Sequence, residues 1–255
     1  MLAVFVLGSA IAPSAGAESS PFFSITGTRL AAGKTHNIAE RSIKKFEMIV
    51  AAAGVNITCN KLTVENGVLL GSEPGTEGKA SQVNAFSECK LESGNGVPNC
   101  HLAATEGGSA TSTAITTNLI SSELVENVEG GKGGKKLEQL YSPASGSVFA
   151  TIFFGGTGCE VLATKETGKT AAEIVTDAGE ANIELPGPTP ENTSFIIRWP
   201  ATTITEVWLV SAGTGKIVKV EEDLFANVAS HHGTALVLLA NTKCEPESTK
   251  WSPLP

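Results

Sequence analysis

The stretch Val55-Asn56-Ile57-Thr58-Cys59-Asn60 alternates apolar and polar residues, which is the pattern of a β-strand with one buried face. Val55, Ile57 and Cys59 fall on the same side, because successive side chains of a strand point to opposite faces. The Val, Ile and Thr content favours a pleated sheet over a helix. This stretch therefore predicts an antiparallel β protein with a cysteine on its buried face.

The alternation changes phase immediately after this stretch. Leu62 and Val64 become the apolar positions beyond Asn60, and such a slip predicts a bulge or a bend. Asn66-Gly67 then predicts a tight turn into a further strand, Val68-Leu69-Leu70.

Similar short segments, rich in Val, Ile, Thr and Phe, recur between clusters of Gly, Asn, Ser and Pro. The predicted strands are 148–154 with 159–162 as a hairpin, 204–210 with 216–220 as a second hairpin, and 234–240 as a buried strand. Long loops rich in Gly or Pro are expected at 71–78, 129–136 and 185–192. We predict an all-β fold, either an antiparallel β-sandwich or a barrel-like domain. It would form a single domain over 18–255, with a candidate subdomain boundary near 129–136.

Two segments are ambiguous by periodicity alone. Residues 39–53 carry Ile43, Phe46 and Ile49-Val50 at helical spacing, so an amphipathic helix fits as well as a strand. Residues 170–180 are ambiguous in the same way.

An apolar run begins at Leu2 and ends at Ala15-Gly16-Ala17, which has the small-x-small form of a signal-peptide cleavage site. Spanning a membrane takes roughly 20 apolar residues, and this run is shorter and is interrupted by Pro13. We therefore expect residues 1–17 to be a signal peptide and the mature chain to have no transmembrane segment. No basic residue precedes Arg29, so either the N-terminal amine supplies the leading charge or a basic segment lies upstream.

The charge balance argues against nucleic acid as a partner. The chain has 18 Lys and Arg against 26 Asp and Glu, a formal charge of −8. Phosphate binding requires a concentrated basic face.

Five cysteines follow the signal peptide: Cys59, Cys89, Cys100, Cys159 and Cys244. In an oxidising compartment thiols this numerous tend to pair. The turn-rich segment 93–98 predicts a Cys89–Cys100 disulfide across a hairpin, and we expect Cys59 to pair with Cys159. Cys244 would then be free or would bond a second copy of the chain. No Cys-x-x-Cys pair is present, so no metal site is predicted.

The sequence offers no recognisable catalytic group. It has no Gly-x-Ser-x-Gly nucleophile motif and only two aspartates, Asp177 and Asp223. His231-His232 is expected to lie in an exposed turn before Gly233. No catalytic residue and no cofactor is therefore predicted.

Three tryptophans, Trp199, Trp208 and Trp251, are candidate platforms for sugar stacking. Trp208 is expected in the core, Trp199 at a strand end before Pro200, and Trp251 in a tail that docks on the domain. None of them defines a binding site.

The order of several short segments resembles that of uncharacterised exported β-rich proteins of soil actinobacteria. The segments are 21–23, 57–62, 86–91, 143–146, 149–154 and 156–159. The resemblance implies an extracytoplasmic location and strands around the cysteines, and it favours a strand over a helix for 39–53. It implies no activity.

Together these patterns predict a secreted or cell-surface protein with a structural or binding role. Its partners would be cell-envelope components or another copy of the chain through Cys244. The alternative is an extracellular hydrolase that acts on glycans through paired glutamates.

Overall fold

Every regular element in the part of the chain that the structure describes is a β-strand. The computed structural model describes residues 20–50, 55–74, 77–92, 99–127, 135–159, 161–167, 170–176, 184–185, 194–204, 206–211, 217–220, 229–243 and 245–254. The strands are β1 Phe22–Ile25, β2 Thr28–Arg29, β3 Thr35–Val50, β4 Val55–Leu70, β5 Lys79–Leu91, β6 His101–Ala103, β7 Ala114–Thr116, β8 Ile120–Asn127, β9 Lys135–Pro143, β10 Val148–Gly155, β11 Val161–Thr167, β12 Thr170–Thr176, β13 Glu184–Leu185, β14 Ser194–Ile204, β15 Glu206–Ser211, β16 Ile217–Val220, β17 Ala229–Ala240 and β18 Trp251–Leu254. The described ranges contain no helical segment with the length and apolarity needed to span a bilayer.

The largest sheet closes on itself. Its strands follow the order β12-β14-β17-β3-β4-β5-β8-β9, and β9 pairs in turn with β12. Every one of these pairings is antiparallel. We call these eight strands the ring. Closure matters because it leaves no unpaired edge among them.

The ring strands follow one another in chain order, so each pairs with the ring strand before it and the one after it. Successive antiparallel strands run in opposite directions, and the connections between them therefore alternate between the two ends of the ring. The connections β3–β4, β5–β8, β9–β12 and β14–β17 share one end. The chain enters β3 and leaves β17 at the other end.

Two smaller sheets extend from the ring. The extension sheet has the order β16-β15-β11-β10-β6, and all five of its strands lie within connections at the same end of the ring. The terminal sheet has the order β18-β1-β2 and joins the two ends of the described chain. Its central register pairs Phe23 with Pro253 and Ile25 with Trp251.

One hydrophobic core runs through all three sheets. It includes Phe23 and Trp251 from the terminal sheet, Leu124 and Phe195 from the ring, and Phe154 from the extension sheet. The antiparallel all-β fold predicted from the sequence is confirmed, and its sheets pack together as expected of a sandwich or barrel-like domain.

The structure also confirms several predictions about individual strands. The hairpin predicted over 148–162 is formed by β10 and β11, and the apolar run 234–240 lies in β17 between β14 and β3. The ambiguous segment 39–53 contributes to β3, and 170–180 contributes to β12. Pairing along the ring thus outweighs the helical spacing of the apolar residues.

Two local predictions are wrong. Asn66-Gly67 forms no hairpin turn, because β4 continues from Val55 to Leu70 and pairs with β5 on both sides of a bulge there. Asn66 has a positive φ of 52°, so the residues that favour a turn serve the bulge instead. His231-His232 lies within β17, where His231 pairs with Met48 and His232 with Glu47, and is not a turn.

The disulfide pairing predicted from the sequence is also wrong. The structure joins Cys59 to Cys89 and Cys100 to Cys159, in place of Cys89–Cys100 and Cys59–Cys159. Cys59 and Cys89 are direct register partners on β4 and β5, so their side chains point the same way at short range. The predicted signal peptide 1–17, most of the segment 129–136 and Cys244 lie outside the described residues.

Candidate functional site

The interior of the ring contains a carboxyl group. Glu40 on β3 is 4% exposed, and Tyr141 on β9 is 1% exposed. Counted along the closed sheet, β3 and β9 are four strands apart in either direction. Burial, and then the negative charge of Glu40, raise the pKa of Tyr141, and buried side chains on opposite walls of a closed sheet influence each other in this way only when both point inward. Glu40 and Tyr141 therefore face the centre of the ring.

Glu40 belongs to a hydrogen-bonded group that we call the interior cluster: Glu40, Gln82 and Asn84. Gln82 Nε2 donates to Glu40 Oε2 at 3.3 Å and to Asn84 Oδ1 at 2.7 Å. All three side chains are buried. The amide nitrogen of Gln82 uses both of its hydrogens in these bonds, and its Oε1 can only accept.

Two acceptor atoms of this cluster have no hydrogen-bond partner among the described residues. They are Glu40 Oε1 and Gln82 Oε1. Trp251 Nε1 is a buried donor beside the ring residue Phe195, and it also has no hydrogen-bond partner among the described residues. Buried polar atoms in folded proteins nearly always have a partner, so these atoms call for a physical explanation.

Burial changes the acidity of Glu40. Desolvation raises its pKa from 4.5 to about 7, and the hydrogen bond from Gln82 partly offsets this rise. The protonated form is favoured because an isolated carboxylate loses the stabilisation of water inside the protein. Burial, together with the charge of Glu40, also raises the pKa of Tyr141 well above its ordinary value, so Tyr141 stays neutral.

The outer face of the ring has a different electrostatic character. Lys61 forms an ion pair with Glu88, and Lys90 pairs with Glu92 at 3.0 Å. The hydrogen bond from Lys61 lowers the pKa of Glu88, while hydrogen bonds from Thr58 and then Lys90 lower that of Glu92. Glu88 is exposed and Glu92 is half-buried, and the lowered pKa values keep both carboxylates ionised, whereas a general acid must hold a proton.

A small groove lies where the extension sheet meets the ring. It has a volume of about 170 Å³ and is lined by parts of β6, β7 and β10, including Ile115, Thr116 and Thr151. Its lining contains no ionisable side chain. Pockets for small organic ligands usually measure at least about 300 Å³, so this groove is too small for most of them.

The tryptophans and the potential metal ligands do not form a site in the part of the chain that the structure describes. Trp251 is buried at the terminal sheet, where its ring lies 4.7 Å from that of Phe195, as expected for a docked tail. The backbone of Trp199 lies in β14 and that of Trp208 in β15, on two different sheets. Within the described ranges, no three His, Cys, Asp or Glu residues come together as metal ligands.

Sequence reasoning missed Glu40. The available signal is its spacing from Ile38, since residues two apart on a strand share a face and Ile38 is buried. The register between β3 and β4 shifts between Arg41 and Phe46. Phe46 and Met48 are buried at the same alternation as Ile38 and Glu40, but the exposed residues between them, such as Lys44, interrupt the pattern that would reveal the inward direction of Glu40.

No known protein family, curated protein or solved structure matches this chain.

Proposed function

We propose that the protein is a secreted or cell-surface protein with a structural or binding role and no catalytic activity. Its partners are cell-envelope components or a second copy of the chain. The observation that carries this proposal is the pair of intramolecular disulfides, Cys59–Cys89 and Cys100–Cys159. Such bonds persist in oxidising compartments and are rare in the cytosol.

The positions of the two disulfides support a mechanical role. Cys59–Cys89 joins two neighbouring ring strands, and Cys100–Cys159 joins the segments next to β6 and β10 of the extension sheet. One disulfide therefore reinforces the ring, and the other reinforces the extension sheet. A protein exposed to proteases and to variable pH outside the cell gains from such reinforcement. The resemblance to exported actinobacterial proteins points to the same location.

The rival function, glycan hydrolysis, requires two carboxyl groups about 5 to 10 Å apart in a groove. Among the residues whose exposure is described, Glu40 is the one buried acid. Glu88 and Glu92 are each held in an ion pair with a surface lysine. This distribution of carboxyl groups favours the non-catalytic role.

Export is tested by expressing the chain with its own N-terminus in an actinobacterial host and isolating the product from the medium and the cell envelope. We expect a mature protein that begins at Glu18 and carries four alkylation-resistant cysteines, identified by mass spectrometry. Ala17→Leu is the matched control, because a large residue at the cleavage site should block processing. An unprocessed cytosolic product with free thiols would contradict the proposal.

The role of Cys244 is tested separately on non-reducing and reducing gels. If a second copy is the partner, the wild-type protein runs as a dimer without reductant, and Cys244→Ser runs as a monomer. Co-sedimentation of that variant with isolated cell envelopes then measures binding to envelope components. A monomeric wild type that does not sediment with envelopes would contradict both partners.

A further inference from the structure

The two disulfides of the protein differ in their exposure to solvent. Cys59 and Cys89 are 4% and 3% exposed, and both side chains belong to the hydrophobic core. Cys100 is half-buried and packs against that core, whereas its partner Cys159 is 6% exposed. Thiol–disulfide exchange begins when a thiolate contacts one of the two sulfur atoms, so its rate depends on access to them. The bond that includes Cys100 is therefore the more accessible target.

Strand pairing encloses the Cys59–Cys89 bond. The register pairs between β4 and β5 continue beyond it in both directions. On the other side of β4, the register partner of Cys59 is Phe46 of β3, which is also buried. A thiolate can reach this bond only after strands of the ring separate. Because the ring is closed and its strands share the hydrophobic core, such separation approaches global unfolding, which is the most costly opening of a protein.

The Cys100–Cys159 bond lies outside the paired part of the extension sheet. The last register pair of β6 and β10 joins His101 to Gly155, and both cysteines lie beyond it. Cys159 follows the turn 156–158, in which two of the three residues are exposed. Opening of this turn uncovers the bond while β6 and β10 remain paired. Local openings of this kind cost much less free energy than global unfolding.

Hydrogen bonds hold β6 in place without the disulfide. Ser112 N donates to Leu102 O at 2.8 Å, and Ala104 N donates to Ala110 O at 3.2 Å just after the strand ends. These bonds add to the pairing of β6 with β10, and the side chain of Leu102 is buried. The extension sheet should therefore keep its arrangement when the Cys100–Cys159 bond is broken.

We propose that Cys100–Cys159 is a site of thiol–disulfide exchange with small thiols from the solvent, and that Cys100 is the sulfur they attack. Cys59–Cys89 does not exchange while the protein is folded. Exchange attaches a thiol compound covalently at the extension sheet, which goes beyond the proposed structural or binding role. It depends only on the folded, oxidised chain, so it can fail or succeed independently of the proposed export.

The exchange conserves atoms and electrons. The thiolate attacks Cys100 Sγ, the bond between the two cysteine sulfurs breaks, and Cys159 leaves as a thiolate that takes up a proton. A monothiol thus remains bound to Cys100 as a mixed disulfide. The second thiol of a dithiol then displaces Cys100, so the protein gains two electrons and two protons and the dithiol is oxidised to a disulfide.

The test is a timed reduction of the purified, folded Cys244→Ser protein with dithiothreitol at pH 8, followed by alkylation and mass spectrometry of a digest. We expect Cys100 and Cys159 to be alkylated at least about tenfold faster than Cys59 and Cys89, because only a local opening is needed. Far-UV circular dichroism should stay unchanged during this first step. In urea that unfolds the protein, the two bonds should be reduced at similar rates.

Three outcomes of this reduction would overturn the proposal. The first is equal or faster alkylation of Cys59 and Cys89 in the folded protein. The second is a loss of the circular dichroism signal as Cys100 and Cys159 become alkylated, since reduction would then require unfolding. The third is a difference in rate that persists in urea, since the fold would not be its cause.

Single thiols identify the sulfur that is attacked. In the Cys244→Ser background, Cys159→Ser leaves Cys100 as a free thiol, and Cys100→Ser leaves Cys159. Cys89→Ser is the matched control, because it frees Cys59 inside the ring. A chromogenic aryl disulfide measures how fast each thiol reacts, and circular dichroism confirms that each variant is folded. The timed reduction of the intact disulfides decides the question for any variant that does not fold.

We expect the Cys100 thiol to react fastest and the Cys59 thiol to react only after urea is added. A Cys100 thiol that reacts no faster than Cys159 would overturn its assignment as the attacked sulfur. A Cys59 thiol that reacts as fast as Cys100 in the folded protein would overturn the distinction between the two disulfides.

Discussion

At the scale of single residues, the cost of burying Glu40 is the main electrostatic feature of the molecule. The side chain lies inside a closed sheet, next to Gln82 and across from Tyr141. Burial raises its pKa to about 7, whereas in the unfolded chain it titrates near its ordinary value. This difference couples the stability of the fold to pH.

Replacing Glu40 by Gln should remove that coupling. Between pH 4.5 and about 7 the folded state keeps a proton that the unfolded state loses, so the wild-type free energy of unfolding falls as pH rises, by about 3 kcal/mol in total. Glu40→Gln lacks this loss and should be more stable than the wild type at pH 8. Urea unfolding at pH 4.5 and pH 8, at equal ionic strength, measures the difference. Parallel pH profiles for the two proteins would contradict it.

Gly155 illustrates a steric requirement of a single residue. It pairs with His101 at the end of β10, and a Cβ atom there would overlap the carbonyl oxygen of Gly108. Gly155→Ala should therefore lower the free energy of unfolding by about 1 to 3 kcal/mol. Gly146 has open space around it but a φ of +68°, so Gly146→Ala should cost only about 1 kcal/mol. The reverse order in urea unfolding would contradict this prediction.

At the scale of elements, the disulfides depend on strand register. Cys59 and Cys89 face each other because β4 and β5 pair without a shift from Ile57 to Glu65. Cys100 and Cys159 come together because β6 pairs with β10, and both cysteines lie just beyond the paired residues. Register within each sheet thus selects the partner of each cysteine.

Removing either disulfide should destabilise the fold by a similar amount. The sequence separations are 30 and 59 residues, and loop-closure entropy grows only with the logarithm of loop length, so each bond should contribute about 3 to 4 kcal/mol. We expect Cys59→Ser/Cys89→Ser and Cys100→Ser/Cys159→Ser to lose comparable stability in urea. Mass spectrometry of a non-reduced digest checks the pairing itself. A peptide linking Cys89 to Cys100 would contradict the observed pairing.

At the scale of the whole molecule, the terminal sheet covers the end of the ring where the chain enters and leaves it. Gly78 N donates to Pro21 O at 2.7 Å, and Thr26 N donates to Lys250 O at 3.0 Å. Trp251 packs against Phe195 of the ring and against Phe23. Residues from both ends of the described chain thus complete the core.

Trp251→Ala should therefore act on the global stability of the protein. Loss of a buried tryptophan leaves a cavity and typically costs about 3 to 5 kcal/mol. Leu119→Ala is the matched control, since Leu119 is 49% exposed and its truncation should cost no more than about 0.5 kcal/mol. Urea unfolding followed by far-UV circular dichroism measures both variants. Equal effects would show that the terminal sheet contributes little to the core.

Local sequence patterns determined the element type of much of this protein. Alternation predicted the strand that begins at Val55, and apolar runs predicted β10 and β17, because side-chain periodicity reports which faces of a segment are buried. Closure of the ring, the disulfide partners and the inward position of Glu40 followed only from the tertiary structure. Each of these depends on the register between strands that are distant in sequence. A shift of one residue reverses the faces of a strand, and no local pattern specifies the register between distant strands.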